Sequence, residues 1–294
     1  MSTDISARVP ATATPPRRVG LVVLTAGALT GFAANSILTR LALDSGLIDA
    51  SSFVIVRVTS GAVVLALLAG WRSAMTSASW PSALALGGYA LAFTFAYLRI
   101  EAAIGALLLF GSVQATMIVA ALARGERPSA AGWAGLVLAI AGLLVLTAPG
   151  LTAPDLAGAA LMIAAGMAWG VYSLRGRGSR APLAGTAGNF ILAVPIVLAG
   201  LPLIRSGLYI TVRGLLLAAI SGSVTSGLAY AAWYAALPSL TAWRAAIVQL
   251  SVPVVTAVAA AVLLDERLTL RLVVASAAII GGVLLSVTAA QRRR

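Results

Sequence analysis

The chain has 294 residues, of which 61% are hydrophobic and 10% are charged, whereas a soluble domain has about 45–50% and about 25%. It contains no cysteine, histidine or lysine, which excludes disulfides, thiolate metal sites and the usual histidine proton shuttle. The net charge of +12 comes from arginines between apolar segments, where they orient a chain in a bilayer. These features predict a membrane protein without a cofactor, a metal or a nucleic-acid partner.

Apolar segments long enough to cross about 30 Å of hydrocarbon follow one another along the chain. Residues 1–19 form a polar tail, and the apolar run after it is too long for a cleaved signal peptide, so an uncleaved first helix is expected. The fold class predicted is an all-α integral membrane protein with ten transmembrane helices. The predicted spans are 20–43, 51–70, 81–98, 102–123, 130–147, 156–174, 183–203, 213–236, 239–263 and 269–289.

The arginines predict the orientation of these spans, because loops on the cytoplasmic side carry an excess of positive charge. With the N-terminus inside, the inner side holds about twice as many arginines as the outer side. We therefore expect a multi-pass protein of the bacterial inner (plasma) membrane, with both termini in the cytoplasm. The inner arginines are Arg8, Arg17, Arg18, Arg72, Arg124, Arg127, Arg175, Arg177, Arg180, Arg292, Arg293 and Arg294, and the outer ones are Arg40, Arg99, Arg205, Arg213, Arg267 and Arg271.

Two stretches repeat each other and indicate a tandem duplication. The sequence from Gly125 to Ser129 (GERPS) leads into an apolar run, and the sequence from Asp265 to Thr269 (DERLT) leads into another. The predicted units are a first five-helix repeat at 20–147, a loop at 148–155, a second repeat at 156–289 and a basic tail at 290–294. Because five is odd, the second repeat enters the membrane inverted, an arrangement that recurs in secondary transporters around a central cavity.

Glycine pairs are a second sign of the duplication. Gly27-x-x-x-Gly31 in the first helix corresponds to Gly166-x-x-x-Gly170 in the sixth. Each pair places two glycines on one helix face, where another backbone can approach closely. We expect these four residues to mediate helix packing.

The sequence resembles the drug/metabolite transporter superfamily in its EamA branch. The resemblance rests on the two five-helix halves, on the small-residue helices that run into Gly125-Glu126-Arg127 and Asp265-Glu266-Arg267, and on Trp169-Gly170. The chain departs from the family in having Asp265 where glycine usually precedes the glutamate, and Gly31-Phe32 where Trp-Gly usually stands. Within the branch it looks most like the YddG-type exporters of aromatic amino acids, and this resemblance implies an amino-acid exporter.

Polar side chains within predicted spans are candidates for contact with substrate, because they are costly in hydrocarbon. Asn35, Gln114 and Gln249 lie on the first, fourth and ninth predicted helices. Hydrogen bonding between helices is the alternative explanation for each of them.

Aromatic side chains recur on single faces of several helices and are candidates for a substrate pocket. Stacked rings suit planar apolar groups or an ammonium group, although packing and an interfacial belt are the alternatives. The third and eighth predicted helices place Tyr97 and Tyr234 as counterparts near opposite gates. The candidates are Tyr89, Phe93, Tyr97, Trp169, Tyr172, Tyr230, Trp233, Tyr234 and Trp243.

Two arginines fall inside predicted spans. Arg57 and Arg244 each lie about seven residues into a helix, a depth from which the side chain can snorkel to the interface. The alternative is that one of them binds a substrate carboxylate, which matches the guanidinium fork.

The function predicted is export of small metabolites by alternating access, most of all aromatic and other amino acids, by a protein expected to be monomeric. The alternatives are transport of cations, sugars or nucleotide derivatives, or an assembly role without transport. An enzyme is not expected, because the chain lacks the usual nucleophile–base pairs. Acids fall only at span ends, so we expect facilitated diffusion or coupling through a rim acid such as Glu101 or Glu126.

Overall fold

The computed structural model describes residues 18–123, 125, 129–147, 153–176, 179, 181–200, 208–236, 239–240 and 248–291. This part of the chain consists of helices, the turns and loops between them, and an isolated antiparallel bridge between Ile48 and Ile210. Nearly all of the predicted terminal tails and inter-repeat loop lies outside the described residues, as do Glu126, Trp243 and Arg244.

Helices make up most of the described residues. They are α1 (Arg18–Asp44), α2 (Ala50–Ala69), α3 (Trp71–Ser77), α4 (Trp80–Ala96), α5 (Ala102–Ala123), α6 (Ala130–Thr147), α7 (Leu156–Gly176), α8 (Pro182–Gly200), α9 (Val212–Ile220), a π-helical segment (Ser221–Leu228), α10 (Ala229–Ala236), α11 (Ser251–Leu263) and α12 (Leu270–Gln291).

Six helices in the described part are long and apolar enough to cross a membrane. Shorter apolar helices cover Ala130–Leu146, Ser251–Leu263 and Leu270–Leu285. The prediction of a multi-pass membrane protein is therefore confirmed, whereas the count of ten spans stays a prediction. The six long helices are Val19–Asp44, Ala50–Ala69, Ala102–Ala120, Leu156–Gly176, Pro182–Gly200 and Val212–Ala236.

Two local features were not predicted. The short helix α3 lies where a loop was expected, after Gly70 turns the chain at a φ of 80°. The π-helical segment interrupts the span Val212–Ala236, and hydroxyl groups accompany the wider turn. Thr225 and Ser226 both donate to the Ser221 carbonyl oxygen, at 2.7 and 3.0 Å, a local competition with the helical ladder that polar residues typically offer.

Small residues set the distances between helices. A Cβ added to Gly166 would lie 2.5 Å from the Leu109 carbonyl oxygen, and one added to Gly170 would lie 2.8 Å from Thr116 Cβ. Gly31 approaches Ala229 equally closely, at 2.6 Å from its Cβ. Gly27, in contrast, is exposed and would meet no atom within 4 Å, so the packing predicted for it is wrong. The reason is the rotation of α1, which turns the neighbouring Ala28 toward the bundle instead.

The difference between these glycines gives a stability prediction. Gly166→Val is expected to destabilise the fold by about 1–3 kcal/mol, because the added groups would overlap α5. Gly27→Val is the matched control, with its new side chain in open space. Thermal unfolding in detergent measures both, and equal midpoints for the two variants would contradict the packing described here.

Asp49 connects two loops at the end of the bundle where α1 ends. Its carboxylate accepts from the Ser52 backbone N–H at 3.0 Å, which caps α2, and from the Tyr209 N–H at 2.8 Å. Partial burial alone would raise the pKa of Asp49, but these hydrogen bonds outweigh it and hold the pKa below its usual range. The charged form is therefore the one that stabilises the fold.

Asp49→Ala is expected to cost about 1–2 kcal/mol at neutral pH through loss of the cap. Because the folded-state pKa is lowered, the stabilisation is complete above the pKa of the unfolded chain and is lost as the pH falls through the folded pKa. The gap between variant and wild type should thus close in acid. Asp44→Ala, which removes an exposed ion pair with Arg40, should change the thermal midpoint much less.

Candidate functional site: an aromatic cavity

Four aromatic rings meet between α4, α7 and α10. The ring centre of Tyr89 lies 5.3 Å from that of Phe93 and 5.0 Å from that of Trp169, and Trp169 lies 4.9 Å from Tyr230. These separations are typical of favourable aromatic pairs. The sequence places Tyr89 and Phe93 four residues apart, so they share a face of α4.

These rings surround a cavity at the centre of the bundle, which we call the aromatic cavity. It leaves about 20 Å³ for the centre of a water-sized molecule, so in this conformation it holds about one water. An occupant the size of an amino acid requires the rings to separate. The lining residues are Phe32, Asn35, Tyr89, Phe93, Leu109, Phe110, Trp169, Thr225 and Tyr230.

Of the polar side chains predicted to contact substrate (Asn35, Gln114 and Gln249), Asn35 lies in this lining. Its side-chain oxygen accepts from the Ser221 hydroxyl at 2.7 Å. The Thr225 hydroxyl oxygen lies 3.2 Å from the same atom, with its one hydrogen directed to the Ser221 carbonyl oxygen at 2.7 Å. Asn35 therefore joins α1 to the π-helical segment, a type of helix irregularity that is frequent at functional sites. It thus links helices, which is the alternative offered for it, and its contact with a substrate stays a prediction that its place in the cavity lining is compatible with.

Other aromatic candidates lie outside the lining. Tyr97 caps α4, is fully buried and is directed onto Gly105, which has no side chain to obstruct it. Trp233 packs with Ala28, and Tyr234 packs against both that cluster and the main core. Tyr172 stacks on Trp169 at 5.4 Å and donates to Thr186 at 3.4 Å.

The two glutamines are also placed away from the lining. Gln114 is buried on α5, and its amide nitrogen has no hydrogen-bond partner among the described residues. Gln249 is partly buried just before α11. Sequence reasoning missed Phe32, Leu109, Phe110 and Thr225, because a single apolar or hydroxyl residue in a span carries no signal of its own.

Arg57 lies behind the cavity wall. It is 2% exposed, so the snorkelling expected for it is wrong, because α2 is covered by neighbouring helices at that level. Its guanidinium carbon lies 4.7 Å from the Phe93 ring centre and 5.3 Å from that of Tyr89. Its Nη2 donates to the Tyr89 hydroxyl at 3.0 Å, while Nη1 has no partner in the described part of the chain.

The charge of Arg57 is thus buried without a described counter-ion. Removing one ion from water costs several kcal/mol, whereas a desolvated cation–π contact returns about 2 kcal/mol. The contacts with the two rings therefore offset part of the cost only. A site with this arrangement favours an anionic group nearby.

A second opening, which we call the rim cleft, lies at the end of the bundle where α1 ends. It is polar and much larger, with about 530 Å³ for the centre of a water-sized molecule. Charged residues from four segments line it. They are Arg40, Asp44, Arg99, Glu101, Asp155, Asp265, Glu266 and Arg267.

Glu266 is the central acid of the rim cleft. Its carboxylate accepts from the backbone N–H groups of Ala102 and Ala103, at 2.6 and 3.1 Å, and so caps α5. It also lies 4.0 Å from the Arg40 guanidinium, which donates to the Tyr97 carbonyl oxygen at 2.9 Å. One carboxylate thereby connects the ends of α1, α4 and α5 to the loop before α12.

Glu101 is an acid of the rim cleft whose pKa is raised. Partial burial raises its pKa, the neighbouring Glu266 raises it further, and Arg40 opposes the shift. A proton is therefore held there more readily than on an isolated glutamate.

Comparison with known proteins agrees with this architecture. The EamA-like transporter family model matches residues 156–288. An uncharacterized protein of Pseudomonas aeruginosa, PA1977, is 47% identical over 274 residues, which are 92% of this chain and 95% of that one. A crystal structure with 19% sequence identity covers 94% of this chain and 100% of its own, with a TM-score of 0.65, which supports the fold. The chain is therefore a multi-pass membrane protein whose residues 156–288 match the EamA-like transporter family model.

Proposed function

We propose that the protein exports aromatic amino acids across the bacterial inner membrane by alternating access, through ten spans arranged as two inverted repeats. In this proposal α1, α2, α4, α5 and α6 correspond to α7, α8, α9–α10, α11 and α12. Both termini lie in the cytoplasm, and the rim cleft faces outward.

The pattern of helix contacts supports the repeat. Under this correspondence, the contact of α4 with α7 is equivalent to that of α10 with α1. The contact of α5 with α7 is equivalent to that of α11 with α1. The contact of α4 with α8 likewise corresponds to that of α2 with the π-helical segment, whereas the contact of α3 with α8 has no counterpart. Three further interfaces pair a helix with its own counterpart: α2 with α8, α5 with α11, and α6 with α12. Such a pattern is what a two-fold axis in the membrane plane generates.

Backbone conformation supports it as well. Gly125 and Asp265 occupy equivalent positions in the repeated turn, and both have a positive φ, of 83° and 57°. Asp265 is the position at which the chain departs from the family's usual glycine. Aspartate is one of the few side-chain-bearing residues that adopt this conformation readily, so both positions have a left-handed backbone.

The aromatic cavity is the observation that carries the substrate class. Its rings suit a planar side chain, which gains both apolar burial and ring contacts. Arg57 makes a second cation in the cavity unfavourable by repulsion, which argues against the toxic cations considered as an alternative substrate class. The small volume is that of a closed conformation, and Tyr97 with the Arg40–Glu266 contact closes the end that faces the rim cleft.

Uptake into proteoliposomes tests this function. The panel holds tryptophan, leucine, a quaternary ammonium dye and a nucleotide sugar, each with and without an imposed pH gradient. Saturable tryptophan uptake down its gradient, without need of a pH gradient, is the expected result. Movement of the dye or the sugar alone would overturn the substrate class, and movement of none would favour the assembly role.

A further inference from the structure

We propose that Arg57 and Tyr89 form a carboxylate subsite of the aromatic cavity, so that the transported class is aromatic carboxylates, with the amino group dispensable. This rests on the proposed function, because it concerns the same cavity. It goes further by assigning the group of the substrate that is recognised by charge.

The hydrogen bond between these residues makes the Tyr89 hydroxyl oxygen an acceptor. Arg57 Nη2 donates to the Tyr89 hydroxyl oxygen at 3.0 Å, so the hydroxyl hydrogen is left for another acceptor. Among the described residues that hydrogen meets none. Since Tyr89 lines the cavity, the acceptor that fits is an oxygen of a bound molecule.

The charge balance makes that oxygen a carboxylate. Arg57 is buried, its Nη1 is unpartnered, and no described acid lies within ion-pair distance of it. A bound carboxylate would neutralise this charge. It would accept a hydrogen bond from the Tyr89 hydroxyl, or from Arg57 Nη1 after a small shift of the Tyr89 ring. Hydrogen bonds between charged partners are shorter and stronger than neutral ones.

The amino group has no comparable partner. The described lining contains no acid, and the Asn35 side-chain oxygen already accepts a hydrogen bond from the Ser221 hydroxyl. An ammonium group would also lie near the positive Arg57. Substrates without it, such as aromatic 2-oxo acids, should therefore bind about as well as the amino acids.

Calorimetric binding to the purified full-length protein in detergent tests the subsite. The probes are phenylalanine, phenylpyruvate, which lacks the ammonium group, phenethylamine, which lacks the carboxylate, and neutral indole. We expect phenylpyruvate to bind within about threefold of phenylalanine and phenethylamine to bind at least about tenfold more weakly, the factor that one lost charged contact typically gives. Phenethylamine binding as tightly as phenylalanine would overturn the subsite.

Three variants separate recognition from folding. Arg57→Gln and Tyr89→Phe should weaken phenylpyruvate binding at least about tenfold and leave indole binding within about twofold, while Arg57→Lys should restore part of the affinity. If Arg57→Gln weakens phenylpyruvate binding and indole binding equally, Arg57 has a purely structural role and the proposal is contradicted. Carboxylate binding without any proteoliposome uptake would refute the transport function while the subsite stands.

Discussion

Trp169→Ala should abolish most of the tryptophan uptake, lowering its rate at least about tenfold when tryptophan is below its saturating concentration. Trp169 contacts Tyr89, Tyr172 and Tyr230, and each aromatic pair contributes about 0.5–1.5 kcal/mol beyond buried area. Loss of about 1.4 kcal/mol of substrate binding corresponds to a factor of ten. The truncation also removes the ring that connects α7 to both other walls of the cavity.

The control for this variant is Trp133→Ala. Trp133 lies on α6 and is 49% exposed, so its loss should leave uptake within about twofold. Trp169→Phe, which keeps a ring, should fall between wild type and the alanine variant. If Trp133→Ala and Trp169→Ala reduce uptake equally, general instability rather than the aromatic cavity explains the effect.

Glu266→Gln is the second variant with a large expected effect, because it weakens the closure at the rim cleft. The side chain of Glu266 is 7% exposed and that of Arg40 is 18% exposed, so the pair is largely shielded from solvent. The substitution removes the charge that caps α5 and weakens the 4.0 Å contact with Arg40, at a cost of about 1–2 kcal/mol. Arg40 keeps its 3.0 Å ion pair with Asp44. We expect the end of the bundle at the rim cleft to open more often.

A single cysteine reports this opening without background, because the natural chain has no cysteine. Leu109→Cys places the thiol in the cavity lining. Its labelling from the rim-cleft side by a membrane-impermeant maleimide should accelerate at least about tenfold when Glu266→Gln is added, the factor for a shift of about 1.4 kcal/mol. Asp44→Asn, at an exposed ion pair, should leave the rate unchanged, and an unchanged rate in Glu266→Gln would refute the gate.

The helices α5 and α6 could be predicted to the residue from continuous apolar runs and the polar or breaker residues that bound them. Membrane insertion makes such runs obligatory, because every backbone polar group must be satisfied internally. The π-helical segment could not be predicted, since Ser221 and Thr225 indicate it only once Asn35 is known to lie opposite. A sequence shows which groups are polar but not which helix faces them.

For the same reason, only part of the site could be predicted from the sequence. Tyr89 and Phe93 share a helix face by their spacing alone, and the structure places both at the cavity. Tyr97 has the same spacing, yet it ends the helix and packs on Gly105. Arg57 was predicted to reach the interface, because its depth was judged from α2 alone. The rings that enclose it come from α4, which is distant in sequence.

Labelling of the Leu109→Cys variant from each side of oriented proteoliposomes tests the central claim most directly, once that variant is shown to transport tryptophan. The cavity should be reached from one side at a time, and tryptophan should shift the labelling toward the opposite side, as alternating access requires. Simultaneous labelling from both sides would indicate a channel. Labelling from neither side, in the presence or absence of tryptophan, would contradict the assignment of the aromatic cavity as the transport site.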